Sequence, residues 1–327
     1  MRIERPVLLG IVGDSAAGKS TLSYGIAEIL GRERVKIFCA DDYHKYDRRE
    51  HAALGITPLH PDCNHLDILE IHLQQLRQGL LILKPVYDHS TGTFTRPEYV
   101  KPTPFIIVDG LLAFYRKTTR DCFDVKVYLD PPEDLRRVWK VRRDTTKRGY
   151  TVEQVLTELE RREPDSEAFI RPQRRYADIV VQFFPPEGAS PDEAGSNLNV
   201  RLILRPTIPH PDITALPCVG LDQCSLDQHY IRLRLDRDSG QPVDVLEIDA
   251  EVPTADAREL ERCIWAHLPV DAPRPHPEAI GWFTHGLEVL HSHPLALTQI
   301  LVAYHTLYAV AEANRWALGA PAHARTE

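Results

Sequence analysis

A glycine-rich segment near the start of the chain limits the possible folds more than any other feature. It reads "GDSAAGKS" from Gly13 to Ser20 and lies between the apolar run "VLLGIVG" (7–13) and a helix-forming stretch (18–30). Glycines in such a turn let backbone N–H groups point inward around phosphate oxygens, and the N-terminus of the following helix adds positive potential. The spacing G-x-x-x-x-G-K-[ST] between a strand and a helix therefore predicts a nucleoside triphosphate site.

The residues of this turn have distinct predicted roles. We expect the Lys19 ammonium to reach the β- and γ-phosphates and the Ser20 hydroxyl to bind Mg²⁺. Most of the other contacts are expected from backbone N–H groups. The predicted nucleotide-binding residues are Gly13, Asp14, Ser15, Ala16, Ala17, Gly18, Lys19, Ser20 and Thr21.

Short apolar runs alternate with amphipathic segments over residues 1–185, which we predict to be one core domain. Continuous apolar strands that alternate with helices indicate a mostly parallel, doubly wound sheet. The predicted strands are 7–13, 35–41, 105–110, 124–130 and 178–184, and the predicted helices are 18–30, 64–78, 131–147 and 151–163.

The pattern changes after residue 184, where a segment with the composition of a loop (185–197) begins. Beyond it, apolar and charged residues alternate as in antiparallel strands. The predicted elements are strands in 198–206 and 229–249 with a turn at "DSGQ" (238–241), followed by helices near 254–268 and 276–318. We expect these elements to form a C-terminal extension over 198–320 that is continuous with the core and used in dimerisation.

Charge and composition exclude several classes of protein. The formal net charge of −8 over 327 residues argues against general nucleic-acid binding, which needs a basic surface. No apolar run approaches the roughly 20 residues of a membrane span, and the glycine-rich turn begins too early to leave room for a signal peptide. Six cysteines in so long a chain are not a disulfide framework. We therefore expect a cytoplasmic protein without nucleic-acid or membrane partners.

Two adjacent aspartates follow the second predicted strand, in "CADDYHKYDR" (39–48). Ligands bind at the carboxyl edge of α/β sheets, where either Asp41 or Asp42 could accept a proton from a substrate hydroxyl. Strand alternation sends the two side chains to opposite faces and leaves the choice open. His44 and Arg48 are suited to a phosphorylated substrate, and Asp109, in "FIIVDG", is a candidate Mg²⁺ ligand.

A dense basic segment, "LRRVWKVRRDTTKRG" (135–149), stands in a chain that is acidic overall. Such a run is typical either of a solvated helix face or of a lid that brings cations over phosphates. Its cations are Arg136, Arg137, Lys140, Arg142, Arg143, Lys147 and Arg148, with Asp144 among them. We call this segment the basic lid. The loop "KPVYDHSTG" (84–92) offers Tyr87, Asp88 and His89 as further polar groups.

In their order along the chain, these segments resemble the phosphoribulokinase/uridine kinase family. The resemblance rests on "GDSAAGKST", "CADDYHKYDR", "KPVYDHSTG", "VDGL", "RDTTKRGYT" and "PQRRYADIVVQ". Beyond the kinase core, "LPCVGLDQC", "VDVLEIDAE" and "HPLALTQILVAYHTLY" look like the C-terminal part of plant and cyanobacterial members, so the resemblance covers nearly the whole chain. It implies an α/β P-loop kinase fold, extended by C-terminal antiparallel strands and helices, and a homodimer.

The resemblance also implies roles for residues at matching positions. Asp41 matches the catalytic base, which resolves the choice that strand alternation leaves open. The other catalytic positions are Lys19, Lys140, Arg143 and Arg148; the substrate positions are His44, Arg48, Tyr87, His89 and Arg161; and the Mg²⁺ positions are Ser20 and Asp109. The implied reaction converts ATP and D-ribulose 5-phosphate to ADP and D-ribulose 1,5-bisphosphate.

The cysteines depart from the pattern of the light-regulated members. Ala17 stands where those enzymes carry a cysteine, and Cys39 matches the position of that cysteine's partner, so this disulfide cannot form. Cys218 and Cys224 keep a C-x5-C spacing. They are candidates for a regulatory disulfide, with buried thiols in a reducing cytoplasm as the alternative.

Two further departures bear on the substrate. Asp109 stands where the family usually has glutamate, which shortens a metal ligand by one methylene, and Leu112 replaces a histidine. The alternatives are therefore a kinase of another sugar phosphate or of a nucleoside, or a nucleotide-binding regulator with little turnover. The basic residues Arg48, Arg143 and Arg161 favour a substrate that already bears phosphate over a neutral nucleoside. The pathway that uses the product stays open.

Overall fold

The computed structural model describes residues 5–194, 197–221, 229–269, 280–285 and 288–317. The strands are β1 (Val7–Gly13), β2 (Val35–Cys39), β3 (Ile82–Lys84), β4 (Tyr87–Asp88), β5 (Thr93–Phe94), β6 (Glu98–Val100), β7 (Phe105–Gly110), β8 (Val125–Leu129), β9 (Ile179–Phe184), β10 (Asn199–Leu204), β11 (Val219–Leu221), β12 (Ile231–Asp238), β13 (Gln241–Ile248), β14 (Trp282–His285) and β15 (Glu288–His291). The α-helices are α1 (Lys19–Leu30), α2 (Arg48–Leu54), α3 (Leu66–Arg77), α4 (Lys117–Arg120), α5 (Glu133–Lys147), α6 (Val152–Asp165), α7 (Pro191–Ala194), α8 (Thr254–Ala266) and α9 (His293–Ala317).

One nine-stranded sheet organises the fold, in the order β11-β12-β13-β10-β9-β8-β1-β7-β2. Neighbouring strands from β9 to β2 are parallel, whereas β10 pairs antiparallel with both β9 and β13, and β13 pairs antiparallel with β12. Because β2 and β7 lie on one side of β1 and β8 and β9 on the other, the parallel part is doubly wound. This confirms the predicted fold class, and the antiparallel strands of the C-terminal region extend the same sheet.

The side chains of β1 alternate between two apolar layers, one on each face of the sheet. Leu9 and Ile11 pack in a layer that includes residues of α1 and α9, and Leu8 and Val12 pack in a layer that includes α3. All seven residues of β1 are buried. A strand that is buried on both faces reads as a continuous apolar run, which is why this strand was recognisable in the sequence.

Helix α9 packs against α1, the helix that follows the phosphate-binding turn. Its segment His293–Ala313 is long and apolar enough to cross a membrane by length and composition, but 89% of the apolar window is buried inside the fold. Burial of this kind is typical of a core helix that is hydrophobic all round.

Three local predictions were wrong. The helix predicted over 276–318 begins at His293, because Trp282–His285 and Glu288–His291 form an antiparallel hairpin and Pro294 suits the first turn of a helix. Residues 276–279 and 318 lie outside the described residues. The predicted loop 185–197 contains the short helix α7. The second strand ends at Cys39 rather than at residue 41, because the chain turns there into a 3₁₀ helix, Ala40–Tyr43.

Candidate active site

The phosphate-binding turn joins the end of β1 to the start of α1. Gly18, which caps α1, has a φ of 97° and Ala16 has a φ of 69°, so the backbone is left-handed at two points of the turn. At Gly13 the turn approaches β8 so closely that a Cβ atom would lie 2.6 Å from the carbonyl oxygen of Leu129. The structure therefore has the tight, glycine-dependent strand–turn–helix that the motif predicts.

Two side chains of the turn are tied to neighbouring protein groups. The Lys19 ammonium donates hydrogen bonds to the carbonyl oxygens of Gly13 (2.8 Å) and Asp14 (2.9 Å). The Asp14 carboxylate accepts from the N–H of Ser15 (2.9 Å) and from the hydroxyl of Ser166. Asp14 thus braces the turn against the π-helical segment that begins at Ser166.

A cleft of about 1030 Å³ lies beside this turn, where the carboxyl ends of β2 and β7 also meet. The predicted site residues that line it are Ser15, Ala16, Gly18, Lys19, Ser20, Thr21, Asp41, His44, Arg48, Tyr87, His89, Asp109, Lys140, Arg143, Arg148 and Arg161. Gly13, Asp14 and Ala17 are not among the lining residues. The structure therefore brings most of the predicted residues together, although they come from distant parts of the chain.

The two adjacent aspartates have different surroundings. Asp42 is buried, forms an ion pair with the Lys84 ammonium and accepts the N–H of Tyr87 (3.0 Å). Asp41 is half-buried, lines the cleft and accepts the N–H of Leu111 through Oδ1 (2.9 Å). Asp42 is thus engaged in holding the fold, whereas the Asp41 carboxylate is the one of the two that a substrate in the cleft can reach.

Asp109, at the end of β7, is a second carboxylate in the cleft. Burial raises its pKa to about 6, with the charge of Asp41 adding to the effect and the charge of Lys19 opposing it. A divalent cation beside Asp109 would stabilise the ionised form that burial disfavours. Mg²⁺ binds through one or two carboxylates while keeping waters and phosphate oxygens as ligands, so Asp109 together with the Ser20 hydroxyl fits this ion.

Rings cluster around the predicted substrate positions. The His44 ring lies 4.9 Å from that of Tyr87 and 6.4 Å from that of His89, centroid to centroid. His44 Nδ1 lies 2.7 Å from Asn64 Oδ1, which fixes the ring. Burial lowers the pKa of both His44 and His89, so both rings are neutral near pH 7. The exposed Arg48 guanidinium donates to the carbonyl oxygen of His89 (2.6 Å), which places a positive charge beside this cluster.

Three cations of the basic lid surround one carboxylate, Asp144. Its oxygens lie 2.8 Å from Lys140 Nζ, 2.8 Å from Arg143 Nε and 3.5 Å from Arg148 Nε. Burial raises the pKa of Asp144, but the hydrogen bond and charge of Arg143, with the charge of Lys140, outweigh burial and lower the pKa to about 2. Burial lowers the pKa of Lys140 to about 8, against the opposing charge of Asp144.

The basic lid also contacts the phosphate-binding turn. Arg136 donates to the carbonyl oxygen of Ser15 (3.0 Å), and Arg143 donates to the Ser15 hydroxyl (3.3 Å). Arg136 and Lys140 are buried, so the solvated helix face that charge runs usually form describes only part of this segment. The lid cations therefore already lie next to the turn that is expected to hold phosphate.

Several cleft residues were missed by the sequence analysis. Arg162 pairs with Glu158 (2.9 Å), as does the predicted Arg161 (3.2 Å). His51 lies one helical turn after Arg48 on α2, so the i, i+3 spacing could have indicated it. The His51 side chain is 3% exposed, and neither ring nitrogen has a hydrogen-bond partner among the residues that the structure describes.

A hydrophobic part of the cleft was also missed. Trp139, Phe183 and Leu198 lie together there, and residues of the C-terminal hairpin and α9, including Phe283 and Leu295, line the same cleft. These residues belong to separate elements, so no local sequence pattern could have brought them together.

The residues that depart from the family pattern lie in different parts of the structure. Leu112 is buried in the apolar core and is not among the residues that line the cleft, whereas Asp109 lines it. Cys39 also lines the cleft; burial, with the charges of Asp41 and Asp109, raises the pKa of its thiol. Cys224 lies outside the described residues, so the disulfide with Cys218 stays a prediction.

The chain is similar in sequence to known proteins. The family model "Phosphoribulokinase / Uridine kinase family" matches residues 8–189. The phosphoribulokinase of Synechocystis sp. is 38% identical over 202 residues, which are 62% of this chain and 60% of that enzyme. The chloroplastic phosphoribulokinase of Triticum aestivum is 30% identical over 281 residues, which are 78% of this chain and 70% of that enzyme.

A solved structure shows the same fold. The phosphoribulokinase from Rhodobacter spheroides superposes with a TM-score of 0.56 at 18% identity, covering 79% of this chain and 95% of that one. The family model covers more than half of the chain, and the solved structure shares its fold. The chain therefore belongs to the phosphoribulokinase/uridine kinase family.

Proposed function

We propose that this protein transfers the γ-phosphoryl group of ATP to the C1 hydroxyl of D-ribulose 5-phosphate, giving ADP and D-ribulose 1,5-bisphosphate. The observation that carries the proposal is the composition of the cleft. The phosphate-binding turn, the carboxylate of Asp41 and the lid cations gathered by Asp144 all line one cavity. The matches to two phosphoribulokinases point to the same substrate.

In the proposed mechanism Asp41 acts as the general base. Its carboxylate accepts the proton of the C1 hydroxyl as the new oxygen–phosphorus bond forms and the bond between the β–γ bridging oxygen and Pγ breaks. The N–H of Leu111 holds one carboxylate oxygen in place. Mg²⁺, held by Ser20 and Asp109, would neutralise charge on the β- and γ-phosphates.

The lid cations stabilise the charge that develops on the transferred group. Lys140 and Arg143 are held by hydrogen bonds to Asp144, and cations fixed in this way need little reorganisation at the moment of reaction. Arg143 also contacts Ser15 of the phosphate-binding turn, which places its guanidinium beside the expected phosphates.

The positive charges of the cleft arginines favour a substrate that already carries a negatively charged phosphate. Arg48, Arg161 and Arg162 all line the cleft, and we propose that they hold the 5-phosphate while neutral His44 and His89 bind sugar hydroxyls. A neutral nucleoside would make no use of these guanidinium groups. This charge distribution is the reason for preferring a sugar phosphate to uridine.

The test is ADP release from the purified protein with ATP and Mg²⁺, comparing ribulose 5-phosphate with ribose 5-phosphate, other pentose phosphates and uridine. We expect turnover that is specific to ribulose 5-phosphate. Preference for another acceptor would assign a different substrate to the same kinase, and ATP binding without turnover on any acceptor would identify a nucleotide-binding regulator.

Arg48→Ala tests the substrate side of the cleft separately. The loss of a charge-assisted contact should raise the KM for the sugar phosphate roughly 10- to 100-fold and change the KM for ATP little. Arg49→Ala is the matched control, because Arg49 is the next residue of α2, is exposed and is not among the cleft-lining residues. Equal effects of the two substitutions would remove Arg48 from the substrate site.

A further inference from the structure

Two consecutive residues at the end of α6 are hydrogen-bonded to two different segments around the cleft. The Asp165 carboxylate accepts from the hydroxyl of Thr57 (2.6 Å), and the Ser166 hydroxyl donates to the carboxylate of Asp14 in the phosphate-binding turn. Thr57 directly precedes Pro58, which lines the cleft. The end of α6 therefore connects the phosphate-binding turn to the segment that begins at Thr57.

A proline precedes this junction in the sequence. Pro164 has no N–H to donate to the carbonyl oxygen of residue 160, so the α-helical hydrogen-bond pattern is interrupted in the last turn of α6. The chain then changes to a π-helical turn, Ser166–Ile170, and such turns are rare but frequent at functional sites. The helix is thus interrupted at the point where two successive side chains bind different partners.

The contact made by Thr57 continues to a ring in the cleft. We call residues 57–64 the acceptor loop. Its last residue, Asn64, donates to the carbonyl oxygens of Pro58 and His60 (3.0 Å each), and Asn64 Oδ1 lies 2.7 Å from His44 Nδ1. The position of the His44 ring therefore depends on the acceptor loop, which is bound to α6 at its first residue.

Nearly all members of this series are excluded from solvent. The side chains that are at most 7% exposed are Asp14, His44, Thr57, Asn64 and Ser166. Breaking a buried hydrogen bond leaves a polar group without a partner, which costs about 1–3 kcal/mol. Buried contacts of this kind hold their partners in one geometry, so the phosphate-binding turn and the His44 ring are held at a fixed separation.

We propose that Thr57, Asp165 and Ser166 are positioning residues, whose two hydrogen bonds form one brace between the phosphate-binding turn and the acceptor loop. The inference rests on the proposed kinase function. Phosphoryl transfer needs the acceptor oxygen in line with the γ-phosphate, and a misplacement of about 1 Å can lower the rate about 10²-fold. None of the three residues lines the cleft. Thr57 acts through the acceptor loop, and Ser166 acts through the phosphate-binding turn.

The experiment compares single and double substitutions, because the two hydrogen bonds lie in series. Thr57→Val removes one hydroxyl at nearly the same shape, Thr57→Ser keeps it, and Ser166→Ala breaks the other bond. Thr207→Val is the matched control, because the Thr207 hydroxyl also donates to an aspartate, Asp178 (2.8 Å), and neither residue lines the cleft. The measurements are kcat with the acceptor that the unmodified protein turns over fastest, the dissociation constant of ATP, and the midpoint of urea unfolding.

We expect Thr57→Val and Ser166→Ala each to lower kcat roughly 10- to 100-fold, with little change in the dissociation constant of ATP. The double variant should lose no more than the larger of the two single losses, because either change alone already breaks the brace. Independent contributions would instead multiply. Thr57→Ser and Thr207→Val should keep the kcat of the unmodified protein, whatever their effect on the urea midpoint.

Losses that multiply in the double variant would overturn the brace and leave the proposed function standing. The same holds for equal kcat values of Thr57→Val and Thr207→Val, or of Thr57→Val and Thr57→Ser. Should Thr57→Val not fold, Asp165→Ala breaks the same bond at its half-buried end and takes its place in the comparison. Absence of turnover by the unmodified protein on any acceptor would overturn the proposed function, and the brace with it.

Discussion

Replacing Asp41 by asparagine should stop phosphoryl transfer while leaving the fold and the nucleotide site intact. A general base contributes about 10²- to 10⁴-fold to the rate, which corresponds to about 3–5 kcal/mol of transition-state stabilisation. The asparagine oxygen can still accept the N–H of Leu111, which Asp41 Oδ1 accepts at 2.9 Å. The change therefore removes the proton acceptor and little else.

Asp42→Asn is the matched control, because it should lower the free energy of unfolding and leave turnover nearly unchanged, whereas Asp41→Asn should do the opposite. The Lys84 side chain, which pairs with Asp42, is 3% exposed. Removing one partner of a buried ion pair costs at most about 3–5 kcal/mol, and the half-exposed Glu98 carboxylate, 3.7 Å from Lys84 Nζ, offsets only part of that loss. Asp42→Asn should thus lower the free energy of unfolding, and the molecules that remain folded should turn over at a rate near that of the unmodified protein.

Three measurements separate the two variants: kcat from coupled ADP release, the dissociation constant of ATP, and the midpoint of urea unfolding. Turnover of Asp41→Asn within about threefold of the unmodified protein would refute Asp41 as the base, given the minimum effect expected. Unchanged stability of Asp42→Asn with lost turnover would show that the two roles are exchanged.

Further predictions concern the lid, the buried His51 ring and assembly. Since the pKa of Lys140 is lowered to about 8, its charge is present below that pH and lost above it, so kcat/KM for ATP should fall above about pH 8 and Lys140→Arg should move this limb to higher pH. Asp144→Asn should lower the urea midpoint, because the buried Lys140 ammonium loses its counterion, and an unchanged midpoint would contradict this account. His51→Phe should raise the free energy of unfolding by about 1–3 kcal/mol, because two buried ring nitrogens without partners are removed, and a lower urea midpoint would argue against it. Light scattering should give twice the mass of one chain, as expected for the predicted homodimer, and the mass of a single chain would contradict that prediction.

Sequence patterns predicted the parallel core because its strands bury both faces. β1 reads as an unbroken apolar run, and the glycine-rich turn directly follows it. At the turn predicted for residues 238–241, Ser239 and Gly240 both have positive φ, the two-residue hairpin that such a sequence favours. In these places the local sequence is sufficient to predict the structure.

Longer-range contacts explain what could not be predicted. Local alternation could not choose between Asp41 and Asp42, because the groups that bind Asp42, the Lys84 ammonium and the Tyr87 N–H, lie 42 and 45 positions later in the chain. The hairpin of β14 and β15 was read as helix because its apolar residues run without a clear break into those of α9. Only the packed fold shows where the strand pairing ends and the helix begins at His293.

The basic lid shows why composition alone leaves such a segment ambiguous. A segment with many cations and one acid is typical of a solvated face, yet Lys140 and Asp144 are both buried. Cations crowded this closely repel one another, and the central carboxylate of Asp144 offsets that repulsion while fixing where the charges point. Substrate phosphates in the cleft would contact cations whose orientation is already fixed. Less of the electrostatic interaction is then lost to reorganisation, and more of it stabilises the transition state. The single acid in the basic run therefore makes this segment an ordered, partly buried cluster of charges, which is the arrangement that the proposed contact with phosphate requires.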